Sequence, residues 1–145
     1  MRVAVLLALL ALALPMRSAA KDESLAQLIN RAENASISDQ PPLYAEVAER
    51  QLHNADDLYN QGKVDQAQAA VKDVVTYCDK ATDAASKSGK KLKNTEIAVR
   101  KMAERLRDIK RSLAFEDQAA VQGAIEHLED LRTVLLNRMF GKGAK

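Results

Sequence analysis

Apolar residues recur at intervals of three and four positions along the chain after residue 23. This spacing is typical of amphipathic helices, because positions three and four apart lie on one face of an α-helix. The longest such stripe has seven members: Val64, Ala67, Val71, Val74, Cys78, Ala81 and Ala85. Sustained alternation of the kind that predicts β-strands is missing from the sequence, so we predict an all-α protein.

The pattern predicts one short helix and four long ones. The short helix begins after Ser24, a residue that can cap a helix N-terminus, and ends before the proline-containing stretch 36–44. The first long helix is expected over about 42–60, and the second begins at 64 and ends with a C-cap at Gly89. The third is expected from an N-cap at Asn94 or Thr95, and the fourth follows a break at 114–117.

Four long amphipathic helices joined by short connections favour an antiparallel bundle, with the short N-terminal helix as an addition. An array of helical hairpins is the alternative arrangement. The stretch LYNQGKVDQAQAAV, residues 58–71, looks like the hairpin corner of a tetratricopeptide repeat. Such arrays need about three repeats to bury a continuous core, and no second copy is present at that period. The bundle is therefore the prediction.

Part of the same stretch, GKVDQAQAA, is also similar to a hairpin corner in the periplasmic b-type cytochromes that fold as four-helix bundles. In that family a Met on the first helix and a His on the last one hold the haem. His127 lies in the middle of the last predicted helix, and the methionines are Met1, Met16, Met102 and Met139. The resemblance therefore implies a bundle without a haem site.

Residues 1–20 have the three parts of a secretory signal peptide. Arg2 supplies the positive start, residues 3–14 are apolar, and Pro15 precedes small residues that end at Ala20, where we expect cleavage. The apolar run is too short to cross a bilayer core of about 30 Å as a helix. We expect residues 21–145 to form a single helical-bundle domain, periplasmic or extracellular, with no transmembrane segment after cleavage.

Positive charge is concentrated between residues 87 and 113, which contain ten Lys or Arg and three acids. Arg100, Arg107 and Arg111 fall within about 40° of one another on a helical wheel, opposite the apolar stripe. With Lys101, Lys90 and Lys91 they form a candidate face for binding an anionic partner. The candidate partners are an acidic protein, a cell-wall polymer or an anionic lipid surface.

The competing interpretation of the basic helix is ordinary bundle surface. Its charges would then be solvated or would pair with Glu126, Glu129 and Asp130 on a neighbouring helix. Nucleic acid is disfavoured as a partner, because residues 87–113 contain no aromatic side chain on which bases can stack. On the binding hypothesis, reversing the three arginines to Glu abolishes partner capture with little loss of stability.

Few residues of the chain are suited to catalysis or to metal binding. His53 shares a helix face with acidic residues and is expected in water, whereas His127 has Asp130 one turn away. Two ligands are too few for a closed metal site. Cys78, the only cysteine, lies on an apolar stripe and is expected in the core. The prediction includes no catalytic residue, no metal and no cofactor.

The sequence therefore favours an exported, non-catalytic binding or scaffolding module. One alternative is a bundle that carries a metal or cofactor on His127, Asp130, Cys78 or Met102. The other is a structural homo-oligomer whose apolar seams continue between chains.

Overall fold

Five α-helices make up most of the structure, a computed structural model that describes residues 23–141. In chain order they are α1 (Leu25–Asn34), α2 (Gln40–Asn60), α3 (Val64–Ser88), α4 (Leu92–Arg111) and α5 (Gln118–Phe140). A short 3-10 turn, Phe115–Asp117, precedes α5 at the predicted break. The predicted all-α bundle with one short and four long helices is confirmed, while the predicted signal peptide lies outside the described residues.

The starts of α1 and α2 follow from local sequence. Ser24 caps α1 as predicted: its Oγ accepts from the Gln27 backbone N–H at 3.1 Å, and the Gln27 side chain accepts from the Ser24 N–H at 2.9 Å. This reciprocal pair satisfies two backbone donors that the first turn leaves open. Pro41 and Pro42 occupy the first turn of α2, where a missing N–H breaks no helical hydrogen bond.

The connection between α3 and α4 is shorter than predicted. Gly89 ends α3 in the left-handed region with φ 69°, and its N–H donates to Ala85 O. Lys91 is also left-handed, with φ 61°, so the chain has already reversed when α4 begins at Leu92. The prediction of an N-cap at Asn94 or Thr95 is wrong, because the Thr95 hydroxyl donates back to Lys91 O within the first turn at 2.7 Å.

The four long helices form two hairpins, α2 with α3 and α4 with α5, which have the most extensive helix contacts. The hairpins lie side by side, so that α3 packs on α5 and α2 packs on α4. Asp79 on α3 meets His127 on α5, and further along both helices Ser86 meets Arg138. Helices α3 and α5 therefore run parallel, whereas α4 and α5 run antiparallel.

This side-by-side packing of hairpins resembles the way in which helical-repeat proteins stack their units. It also places an ion pair between Arg105 of α4 and Asp56 of α2, the first helix of each hairpin. The second hairpin, α4 with α5, has an outer face on which Arg111, Glu126 and Asp130 are exposed. This face carries most of the residues discussed below.

A continuous core lies between the hairpins and contains the apolar stripes of all four long helices. Its α3 side is built largely from alanine and valine, so the neighbouring backbones approach closely. Helix α1 packs on α2, where a second apolar cluster joins Ala32 to Tyr44, Ala45 and Ala81. Within residues 23–141, none of the helices combines the length and apolarity that a membrane crossing requires.

Candidate functional site

The outer face of α4 carries the three predicted arginines, and each has an acidic neighbour. Arg107 Nη2 donates to Glu129 Oε1 on α5 at 2.7 Å. Arg100 Nε lies 3.6 Å from Glu96 on its own helix, and Arg111 Nη1 donates to Asp108 at 3.1 Å. Arg111 is the most exposed of the three, with a side chain 75% accessible against 40% for Arg107.

Two of these ion pairs belong to one network that joins α4 to α5. Arg132 on α5 donates to Glu96 through Nε at 3.1 Å and to Glu129 through Nη1 at 2.9 Å. Charges therefore alternate along the seam in the order Arg100, Glu96, Arg132, Glu129, Arg107. Glu96 is almost fully buried, so removal of its arginine partners would leave a buried charge unpaired and would destabilise the protein.

The arginines hold Glu129 in its ionised form. The hydrogen bond from Arg107, opposed by partial desolvation and assisted by the hydrogen bond from Arg132, lowers the pKa of Glu129 below its usual value of 4.5. The alternative prediction for the basic helix, pairing with acids on a neighbouring helix, therefore describes Arg107. Arg111 lies beyond this network.

An open groove of about 650 Å³ lies beside the network, between the C-terminal half of α4 and the N-terminal half of α5. We call it the α4–α5 groove. Its α4 wall is basic and its α5 wall is polar and acidic around one apolar residue. The lining residues are Arg107, Lys110, Arg111, Gln118, Gln122, Ile125, Glu126, Glu129 and Asp130.

The two walls touch at one further point, where Lys110 Nζ donates to Gln122 Oε1 at 2.7 Å. Lys110 is a groove residue that the sequence pattern did not indicate, because on the wheel it lies close to the apolar stripe. Its long side chain reaches from there to the α5 wall. Glu126 and Asp130 are exposed on that wall.

The remaining predicted site residues lie elsewhere on the surface. Lys101 lines a smaller groove of about 230 Å³ between α2 and α4. Lys90 and Lys91 lie in the connection between α3 and α4, at the opposite end of α4 from Arg111. The structure therefore brings together Arg107 and Arg111 at one groove, with Arg100 joined through the ion-pair network, and separates the three lysines from them.

The residues considered for a metal or cofactor are divided between surface and core. His127 Nε2 lies 2.7 Å from Asp79 Oδ1 on α3, a partner that sequence spacing on α5 could not show. Cys78 and Met102 contact each other in the core, with their sulfur atoms 3.9 Å apart. Burial raises the pKa of the Cys78 thiol to about 12, so this thiol is protonated at neutral pH.

Within residues 23–141, three or more His, Cys, Asp or Glu side chains are nowhere grouped closely enough to hold a metal ion.

Comparison of the chain with protein-family models, with curated proteins and with solved structures found no match.

Proposed function

We propose that the protein is exported and acts as a non-catalytic binding or scaffolding module through the α4–α5 groove. The observation that carries the proposal is the opposition of a basic α4 wall and an acidic α5 wall along one open groove. Export rests on the pattern of residues 1–20. Binding by charge requires side chains that remain accessible, as those of Arg111, Glu126 and Asp130 are.

The acidic wall narrows the choice of partner. A cell-wall polyanion or an anionic lipid surface laid along the α4 wall would approach Glu126 and Asp130 at the same time, and like charges repel. A folded protein surface can present acidic groups to α4 and basic groups to α5. We therefore favour a protein partner of mixed charge over a uniformly anionic polymer or membrane.

The test is capture of partners from envelope extracts by the immobilised protein at low and moderate salt. The variant that tests binding is Lys110→Glu with Arg111→Glu. Neither residue belongs to the ion-pair network around Glu96 that joins α4 to α5, so the variant leaves that network intact. A matched control is Lys63→Glu with Lys72→Glu, which makes the same change of charge at exposed positions of the first hairpin. Retention of one protein by the wild type and the control, with loss in the groove variant, supports the proposal.

Equal capture by the wild type and the groove variant would overturn the role of the groove. The three-arginine reversal suggested by the sequence is a poorer test, because glutamate at 107 would face Glu129 and glutamate at 100 would face Glu96. The structure therefore revises the expectation that all three reversals leave stability nearly unchanged. Loss of capture by that variant would not separate lost binding from lost folding.

Two further measurements address the other parts of the proposal. Cell fractionation of the full-length protein, with N-terminal sequencing of the product, tests export and cleavage after Ala20. Metal analysis and an absorption spectrum of the purified protein test the alternative of a metal-carrying or cofactor-carrying bundle. A stoichiometric metal or a visible chromophore would overturn a purely non-catalytic module.

A further inference from the structure

The α4–α5 face has the charge pattern that a second copy of the same chain would complement. Resting on the proposed function and naming its partner, we infer that two copies dock face to face along the α4–α5 groove. They are related by a two-fold axis parallel to these helices. An isologous contact of this kind uses the same surface on both subunits.

The symmetry follows from the antiparallel packing of α4 and α5 in each chain. A half-turn about an axis that runs along the groove places each α4 over the partner's α5. The same rotation leaves the height of every residue along the axis unchanged. Residues that lie level across the groove within one chain are therefore also level across the interface.

The internal contacts show which residues are level. Arg107 contacts Glu129, and Lys110 contacts Gln122. Glu126 lies between Gln122 and Glu129 on α5, so it is level with the segment from Arg107 to Lys110. In the dimer, the basic wall of each copy would face Glu126 of the other, and this happens twice by symmetry.

An apolar contribution comes from the far end of α5. Leu136 follows Glu129 by seven residues and Phe140 follows Leu136 by four, so both lie on the side of α5 that carries Glu129. Phe140 is 79% exposed and Leu136 is 38% exposed. The proposed interface would cover these side chains in addition to pairing the charges, which gives the contact an apolar part.

The competing partners fit this pattern less well. A uniformly anionic ligand meets repulsion at the α5 wall, and a uniformly cationic one meets it at the α4 wall. A second copy presents both signs at matching heights. Complementary charge of this kind governs association rate and register as well as affinity.

The test is a charge-swap experiment on protein purified from cells that express the full-length sequence. The first variant is Lys110→Glu with Arg111→Glu, which makes both walls acidic. The second is Glu126→Lys with Asp130→Lys, which makes both walls basic. Light scattering and sedimentation velocity measure the mass of the wild type, of each variant and of their equimolar mixture.

We expect a wild-type dimer that weakens with salt, and a rise of about tenfold or more in the dissociation constant of each variant alone. The mixture restores association, because each acidic face then meets a basic one in both halves of the interface. Restoration also shows that both variants are folded. Lys63→Glu with Lys72→Glu, the variant of the first hairpin, should associate like the wild type.

A wild type that is monomeric at all accessible concentrations would overturn this inference, and so would reversed variants that associate like the wild type. A monomeric wild type that still captures another protein through the groove would leave the proposed function standing. A dimer confirmed by the charge swap, with no other protein captured, would identify the second copy as the partner of the groove.

Discussion

Arg132 on α5 holds Glu96 on α4 by two nitrogens, Nε at 3.1 Å and Nη2 at 3.0 Å from the same carboxylate oxygen. Glu96 is almost fully buried, and the Arg132 side chain is 25% exposed. A buried carboxylate is costly unless it is paired and hydrogen-bonded, so the contact couples the two helices. It also holds the basic α4 wall of the groove beside the acidic α5 wall.

Glu96→Gln tests this coupling. The substitution keeps the shape of the side chain and removes the charge, so we expect a loss of about 1–3 kcal/mol in the free energy of unfolding. Urea unfolding followed by circular dichroism measures it. Asp108→Asn, the control, removes the negative charge of the exposed partner of Arg111. It should change the free energy of unfolding by no more than about 0.5 kcal/mol. Equal effects of the two substitutions would contradict a special role for Glu96.

Stability is expected to fall in acid partly through Glu129. Its pKa is lowered in the folded protein, so as the pH falls the Glu129 carboxylate is protonated at a higher pH in the unfolded chain than in the folded one. The stabilisation is present above the usual pKa of about 4.5 and is lost as the pH falls through the lower folded value. Urea unfolding at neutral pH and near pH 3 should show a smaller acid loss for Glu129→Gln than for the wild type. An identical acid loss would rule this contribution out.

The Cys78 thiol is expected to be unreactive in the native protein, since the side chain is buried and its pKa is raised to about 12. A thiol reagent should label it only when the protein unfolds, and a non-reducing gel of oxidised protein should show no disulfide-linked dimer. Fast labelling without denaturant would contradict its burial.

Substitution of the same residue tests its place in the core. Cys78→Ser buries a hydroxyl in an apolar site and should cost about 1–3 kcal/mol of stability. Cys78→Ala, which introduces no polar group, is the control and should cost less. Chemical denaturation of the two variants under reducing conditions makes the comparison. A serine variant as stable as the alanine variant would contradict an apolar environment for this side chain.

Lys91→Gly is expected to stabilise the protein by about 0.5–1 kcal/mol. Lys91 has φ 61°, a region that glycine occupies at lower cost than a residue with a β-carbon. Lys91→Gln is the matched control, because glutamine removes the same charge and, unlike asparagine, is not enriched in this conformation. If removal of charge were the cause, thermal unfolding would show equal gains for both variants. A larger gain for glycine would identify the backbone.

The spacing of apolar residues was sufficient to predict the helices and the faces that they bury. It could not show which helices are neighbours, since a stripe on α3 packs equally well on α4 or α5. The short connection at Gly89 and Lys91 could not be predicted from the sequence for a different reason. Lysine has no marked preference for the left-handed region, so the sequence points to the better capping residues Asn94 and Thr95 instead.

Candidate site residues were predictable where a helix face decides their position. Arg107 and Arg111 share one outer face because of their four-residue spacing, and both line the groove. The pairing of Arg107 with Glu129 and of His127 with Asp79 depends on contacts between helices. The spacing of residues along one helix does not predict such contacts.

The side-by-side packing of the two hairpins also bears on the order of events in folding. Contacts within a hairpin join segments that are close in the chain, whereas Asp79 and His127 are 48 residues apart and Asp56 and Arg105 are 49 apart. Short loops close faster than long ones, so each hairpin is expected to form before the two dock. Contacts across the interface between the two hairpins would then form late. Substitutions in this interface should therefore accelerate unfolding more than they slow folding.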